Sequence, residues 1–68
     1  MNIKIGTEIY LPHQELTIKI TDIRYQVDFV NGSEVFFKYD GYYPGDVAET
    51  SLTDVREWLW KGDWRIKD

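Results

Sequence analysis

The feature of this sequence that most constrains its fold is a long alternation of apolar and polar residues in its first half. Leu16, Ile18 and Ile20 alternate with polar residues, which is the period of a strand with one buried face. The alternation slips by one residue at Asp22-Ile23 and then resumes as far as Phe29. A one-residue slip within a strand pattern predicts a β-bulge or a sharp bend, and strongly bent strands allow a small sheet to curl.

The second half of the chain changes period. Leu52, Val55, Trp58 and Leu59 recur at helical spacing, which predicts a short helix with one apolar face. Ser51 precedes this stretch as an N-cap, and a glycine at position 62 follows it. Strand-like alternation occurs before and after the helix, starting with Ile3, Ile5, Ile9 and Leu11 and returning in residues 63–67. The predicted order is therefore β-β-β-β-α-β.

This order predicts a mainly β fold with one helix, either a small SH3-like barrel or a strongly bent antiparallel sheet. The alternative is an open α+β sheet with the helix packed on one face. A single helix cannot supply the crossovers that a parallel sheet needs. The aromatic residues that fall on apolar faces are assigned to the core: Tyr25, Phe29, Phe37, Trp58 and Trp64.

Length and composition limit the ways in which this fold is stabilised. A chain of 68 residues hides only about 60% of its unfolded surface, so its core depends on large side chains. The sequence supplies three Trp, five Tyr and three Phe, and it has no cysteine. These features predict one soluble domain over residues 1–68 in a reducing cytoplasm, without disulfides or a CxxC site. No segment approaches the roughly 18 apolar residues of a membrane helix, so no membrane partner is expected.

The dipeptide Asn31-Gly32 is the strongest turn signal in the chain. A two-residue turn here would place the apolar residues of the two flanking strands on opposite faces of the sheet. A three-residue loop would place them on the same face. A loop of residues 30–32 pairs Val27 with Val35, and a loop of residues 31–33 pairs Phe29 with Val35. Both registers stay open at this point.

The residues that catalysis requires are scarce. His13 is the only histidine, and it lies in a polar turn without neighbours suited to a general base or a metal site. Ser33 and Ser51 have structural roles in a turn and a helix cap. There is no GxGxxG, P-loop, HExxH or EF-hand motif. The sequence therefore predicts a protein that is not an enzyme and takes no cofactor or metal.

The net charge is concentrated in one part of the chain. The whole sequence carries −4, from 12 acidic and 8 basic residues, and the window 40–57 contains five acids against Arg56 alone, which is also −4. Solvated acids at a loop and a helix N-terminus are the simplest explanation. The alternative is an acidic surface that binds a protein with a basic surface.

Aromatic residues adjoin this acidic window. Tyr42 and Tyr43 lie in a stretch bounded by Gly and Pro, where they either fold back as a lid over the core or stand exposed as binding anchors. Trp60 lies at the flank of the apolar helix stripe. The hypothesis is a non-catalytic interaction module whose partner-binding residues are Tyr42, Tyr43, Asp46, Glu49 and Trp60.

Two other functions remain as alternatives. Small barrels bind single-stranded nucleic acid on aromatic platforms, for which Phe36 with Arg24 and Lys38 would serve. The acidic balance and the neighbouring acids argue against a nucleic-acid partner. A homo-oligomeric structural protein is the third possibility, assembled through an uncovered sheet edge or through Trp60.

Two segments of the chain resemble small proteins of Gram-positive phages and prophages. The stretch from Ser51 to Trp64 is similar to their helix–Gly–Trp endings, and the stretch from Ile5 to Pro12 is similar to their first strands. The resemblance implies expression inside a bacterial cell from a mobile element. It also implies a binder or inhibitor of a host protein, because such genes often encode these.

Overall fold

The computed structural model describes residues 2–67 and contains, over that range, five strands and one helix in the predicted order. The elements are β1 (Glu8–Leu11), β2 (Leu16–Gln26), β3 (Glu34–Tyr43), β4 (Asp46–Ser51), α1 (Leu52–Lys61) and β5 (Arg65–Ile66). The strands form one antiparallel sheet in the order β4-β3-β2-β1-β5. The sheet is open, with β4 and β5 at its edges, so the mainly β fold and its open-sheet alternative are confirmed.

A bulge in β2 confirms the bend that the phase slip predicts. Ile20 pairs with Tyr39, but the next paired residue is Asp22, which lies opposite Lys38. The register shift lets the strand return its apolar residues to the buried side, because Ile23 then lies opposite the buried Phe37.

The core lies between one face of the sheet and α1. Its buried residues are Ile9, Leu11, Ile18, Ile20, Phe37, Tyr39, Val55 and Trp64. Trp58 is half-buried and packs against this cluster, so the assignment of Phe37, Trp58 and Trp64 to the core is confirmed.

The assignment of Tyr25 and Phe29 to the core is wrong. Their exposed fractions are 64% and 98%. The 11 residues of β2 extend for about 36 Å, whereas the 10 residues of α1 span about 15 Å, so the helix covers only one end of the strand. The largely exposed part of the β2–β3 hairpin that this cover leaves free, residues 23–33, is called the hairpin arm below.

The loop at the tip of the hairpin arm is longer than either predicted loop. The last strand pair is Gln26 with Glu34, so the loop takes in residues 27–33 and both predicted registers are wrong. The Asp28 carboxylate organises it, because Oδ1 accepts hydrogen bonds from the backbone N–H groups of Asn31 at 3.0 Å and Val30 at 2.8 Å. These bonds also lower the pKa of Asp28 below its usual range.

Two other segments differ from the sequence prediction. Residues 3–7 lie outside any strand, with a turn at Ile5-Gly6, and Ile5 is exposed. The aromatic stretch that was expected to be a loop is a second hairpin, because β3 continues to Tyr43 and β4 begins at Asp46. The register of this hairpin shifts between Tyr39 and Tyr43, the stretch that contains Gly41.

The N-cap of α1 gives the first testable prediction. Ser51 Oγ accepts a hydrogen bond from the backbone N–H of Asp54 at 3.2 Å, as the sequence predicts. Ser51→Ala is expected to lower the free energy of unfolding by about 1 kcal/mol, because this N–H then loses its partner. Urea denaturation measures the change, and Ser33→Ala in the exposed loop is the control, with an expected change within about 0.5 kcal/mol. Equal losses in the two variants would contradict the cap.

Candidate functional site

A groove lined largely by aromatic side chains opens where the end of β3, the β1–β2 turn and the end of α1 meet. It encloses about 400 Å³. It is called the aromatic groove below, and its lining residues are Leu11, His13, Gln14, Tyr39, Tyr42, Tyr43, Trp58, Asp63 and Trp64.

The rings of the aromatic groove form a continuous row from the core to the surface. The buried Trp64 lies edge-to-face with Tyr39 at 5.4 Å between ring centroids and 4.8 Å from Trp58. Tyr42 continues the row at 6.5 Å from Tyr39 and 4.8 Å from Tyr43. Each such pair contributes about 0.5–1.5 kcal/mol beyond its buried area, so the row holds the outer rings in place. Burial also raises the pKa of the Tyr39 hydroxyl.

The two tyrosines at the end of β3 differ in burial, and each matches one of the two alternatives, a lid over the core or an exposed anchor. Tyr42 is half-buried and packs against the core, as a lid does. Tyr43 is 55% exposed, as a binding anchor is. The two rings contact each other, so the exposed ring of Tyr43 rests on the ring that packs against the core.

A second concavity lies on the other side of the tyrosine pair. Its lining residues are Leu16, Asp40, Gly41, Tyr42, Tyr43, Pro44, Gly45, Asp46 and Val47. Among residues 2–67, the carboxylates that line the two concavities belong to Asp40, Asp46 and Asp63, and no Lys or Arg lines either of them. Within residues 2–67, Asp40 and Asp46 take part in no ion pair. The tyrosine pair therefore stands between the concavity of Asp40 and Asp46 and the groove that contains Asp63, which is bonded to His13, and the surface made by the two concavities is called the acidic aromatic corner.

His13 has a partner that the sequence analysis did not identify. Its Nε2 lies 3.0 Å from Oδ1 of Asp63, a hydrogen bond that ties the β1–β2 turn to the segment after α1. The two residues are 50 positions apart, and no local signal joins them. A histidine–carboxylate pair can hold a proton, but no Ser, Thr or Lys side chain lines the groove beside it. The pair shapes the rim of the aromatic groove.

The structure brings together three of the five residues predicted to bind a partner. Tyr42, Tyr43 and Asp46 line the second concavity, whereas Glu49 and Trp60 line neither of the two. Trp60 stands 87% exposed on α1. The Glu49 carboxylate accepts hydrogen bonds from Nη2 and Nε of Arg24 at 2.9 and 3.2 Å, which hold the pKa of Glu49 below its usual range.

The residues of the nucleic-acid alternative lie together on the outer face of the sheet. Arg24 pairs across the strands with Phe36, and its guanidinium carbon lies 4.5 Å from the centre of that ring. Lys38 lies between Asp22 on β2 and Glu49 on β4 as cross-strand neighbours. Because Glu49 also binds Arg24, acidic residues offset the positive charge of this face locally.

The described residues and the comparisons with known proteins supply no further functional assignment. The part of the chain that the structure describes has no group of three or more His, Cys, Asp or Glu residues arranged to hold a metal ion. None of its helices combines the length and the apolar character needed to cross a bilayer. No protein-family model matches the chain, nor does any curated protein or solved structure.

Proposed function

We propose that this chain is a non-catalytic protein-interaction module that binds a partner with a basic surface at the acidic aromatic corner. One observation carries the proposal: Tyr42 and Tyr43 stand between two concavities that three carboxylates and no Lys or Arg line. A lysine or arginine side chain gains from the face of an aromatic ring, and nearby carboxylates attract the same cation.

The tyrosine and the carboxylates contribute to different parts of the interaction. An exposed cation–π contact is worth about 0.5–1 kcal/mol and more once water is excluded, so Tyr43 is expected to set the lifetime of the complex. Asp40 and Asp46 are exposed, and exposed charges mainly steer association. Their effect is screened beyond about 8 Å at physiological ionic strength, so binding should weaken as salt is added.

The resemblance to small phage and prophage proteins suggests where such a partner is found. A binder or inhibitor of a host protein, encoded by a mobile element, needs a small surface that recognises one target. The exposed Tyr43 supplies contact area. Asp40 and Asp46, which take part in no ion pair within residues 2–67, select a partner of opposite charge. On this proposal the partner is a bacterial protein with Lys or Arg at its contact surface.

Retention of proteins from a bacterial lysate treated with nuclease tests the proposal. We expect the wild-type chain to retain a specific protein, and Tyr43→Ala and Asp46→Lys to reduce its recovery at least ten-fold. Glu57→Lys is the matched control, because it makes the same charge change on α1 and removes only an (i, i+4) ion pair with Lys61. Equal recovery with all variants would rule out this surface, and recovery that requires intact nucleic acid would rule out a protein partner.

Chromatography on immobilised single-stranded DNA tests the nucleic-acid alternative. We expect the wild-type chain to elute at low salt, because Glu49 engages Arg24 and the net charge is −4. Retention that falls steeply with salt, and that Arg24→Ala or Lys38→Ala abolishes, would contradict this expectation. It would assign binding to the outer face of the sheet.

A further inference from the structure

The hairpin arm exposes an apolar surface as large as the largest patches found on monomers. Its exposed large apolar residues are Ile23, Tyr25, Val27, Phe29 and Val30. Together they expose roughly 600 Å², at the upper end of the largest patch found on a typical monomer. The radius of gyration of the molecule is 12.2 Å, against about 11 Å for a compact chain of this length. This agrees with an arm that lengthens the molecule.

The two faces of the hairpin arm differ in chemistry. Ile23 lies opposite the buried Phe37, and Tyr25 lies opposite Val35, so these side chains continue the core face of the sheet beyond α1. The other face carries Arg24, whose guanidinium bonds to Gln26 and Glu49. The apolar face is therefore a sheet face that α1 leaves uncovered, because the helix begins beside Glu34, to which Thr53 donates a hydrogen bond, and leads from there toward Tyr39.

The tip of the arm is held in a defined conformation. Besides the two backbone N–H groups, Asp28 accepts a hydrogen bond from Nδ2 of Asn31 at 3.2 Å. This clamp spans Phe29 and Val30, whose exposed fractions are 98% and 90%. A backbone that is already held in place loses little conformational entropy on binding, so the tip is suited to contact another surface.

We propose that the apolar face of the hairpin arm binds the same face of a second copy of this chain. The face carries no charged side chain from β2 or β3 that would select an oppositely charged partner, and an apolar face is complementary to itself in a two-fold dimer. With the two arms antiparallel, the tip of one arm, with Phe29, lies at the base of the other, near Ile23. Burial of all five exposed apolar residues of each copy would give roughly 600 Å² per partner, the lower limit of a standard interface.

This dimer is independent of the proposed function. It uses residues of the hairpin arm and leaves Tyr42, Tyr43 and Asp46 uncovered. It also differs from assembly through a sheet edge or Trp60, which would leave the face of the hairpin arm in solvent. A failure of partner binding at the acidic aromatic corner would leave this proposal standing, and the reverse also holds.

Sedimentation equilibrium at increasing concentrations of the full chain tests the proposal. We expect the wild-type chain to pass from monomer to dimer, and Tyr25→Ser and Phe29→Ser each to raise the dimer dissociation constant at least ten-fold. Trp60→Ser is the matched control, because it removes an exposed aromatic ring from α1 and should leave the dissociation constant unchanged.

Three results would overturn the proposal. A wild-type chain that stays monomeric at every concentration would leave the arm to a different partner. A dimer that Tyr25→Ser and Phe29→Ser do not weaken, or one that Trp60→Ser dissociates, would place the interface elsewhere. Urea denaturation of each variant at low concentration separates dissociation from misfolding, because all three side chains are exposed and the monomers should unfold like the wild type.

Discussion

Trp64→Ala is expected to lower the free energy of unfolding by about 3–5 kcal/mol, the usual cost of removing a large buried aromatic side chain. Trp64 is only 6% exposed, and its ring packs against both Tyr39 and Trp58. A chain of 68 residues has a total stability of roughly 3–10 kcal/mol. The variant should therefore lose a large part of its total stability.

Urea denaturation followed by far-ultraviolet circular dichroism measures this loss. Trp60→Ala is the matched control, because the same substitution at the exposed tryptophan of α1 should change stability by no more than about 0.5 kcal/mol. Similar losses in both variants would show that Trp64 does not anchor the core as the structure indicates. Trp64 also lines the aromatic groove, so its replacement is unsuitable for testing partner binding.

Gly41→Ala is the second substitution with a large expected effect. Gly41 has a φ of +98°, and a Cβ added there would lie 2.8 Å from the backbone oxygen of Thr17 and 3.3 Å from the Cα of Ile18. These neighbours are backbone atoms of β2, which cannot move without disturbing the sheet. The strained backbone and the overpacking together should cost about 3 kcal/mol.

Gly45→Ala separates the two causes of that loss. Gly45 also has a positive φ, +79°, but a Cβ there would meet nothing within 4 Å. Its replacement should therefore cost only the left-handed backbone strain, about 1 kcal/mol. The same urea experiment compares the two variants, and equal losses would contradict the close approach of Gly41 to β2.

The parts of the fold that the sequence predicted correctly depend on local signals. The alternation from Leu16 to Ile20 and the slip that follows it determine which residues of β2 face the core. Ser51 and Gly62 mark the ends of α1, because capping depends on residues within one turn of the helix.

The hairpin arm was not predicted because its cause is not local. Alternation shows that Tyr25 shares a face with the core, but it does not show where along β2 the cover of the helix begins. That limit is set by the start of α1, because Thr53 in its first turn bonds to Glu34 and the helix leads from there toward the groove beside Tyr39. The loop was mispredicted for a different reason, since the carboxylate of Asp28 organises a longer turn than Asn31-Gly32 alone indicates.

The candidate site was predictable only where its residues are neighbours in sequence. Tyr42, Tyr43 and Asp46 lie within one hairpin, so their proximity follows from the sequence. Glu49 was assigned to the site because it falls in the acidic window 40–57, and nothing local indicates its ion pair with Arg24, 25 positions away. The hydrogen bond of His13 with Asp63 escaped prediction for the same reason.

Isothermal titration calorimetry with a short peptide rich in lysine and arginine tests directly whether the acidic aromatic corner binds a basic partner. We expect the wild-type chain and Glu57→Lys to bind this peptide, and the binding to weaken as salt is added. Tyr43→Ala and Asp46→Lys should each weaken the binding at least ten-fold. A glutamate-rich peptide of the same length should give no binding. Absence of binding to the basic peptide, or equal binding by all four proteins, would contradict the assignment of the acidic aromatic corner as a site for a basic partner.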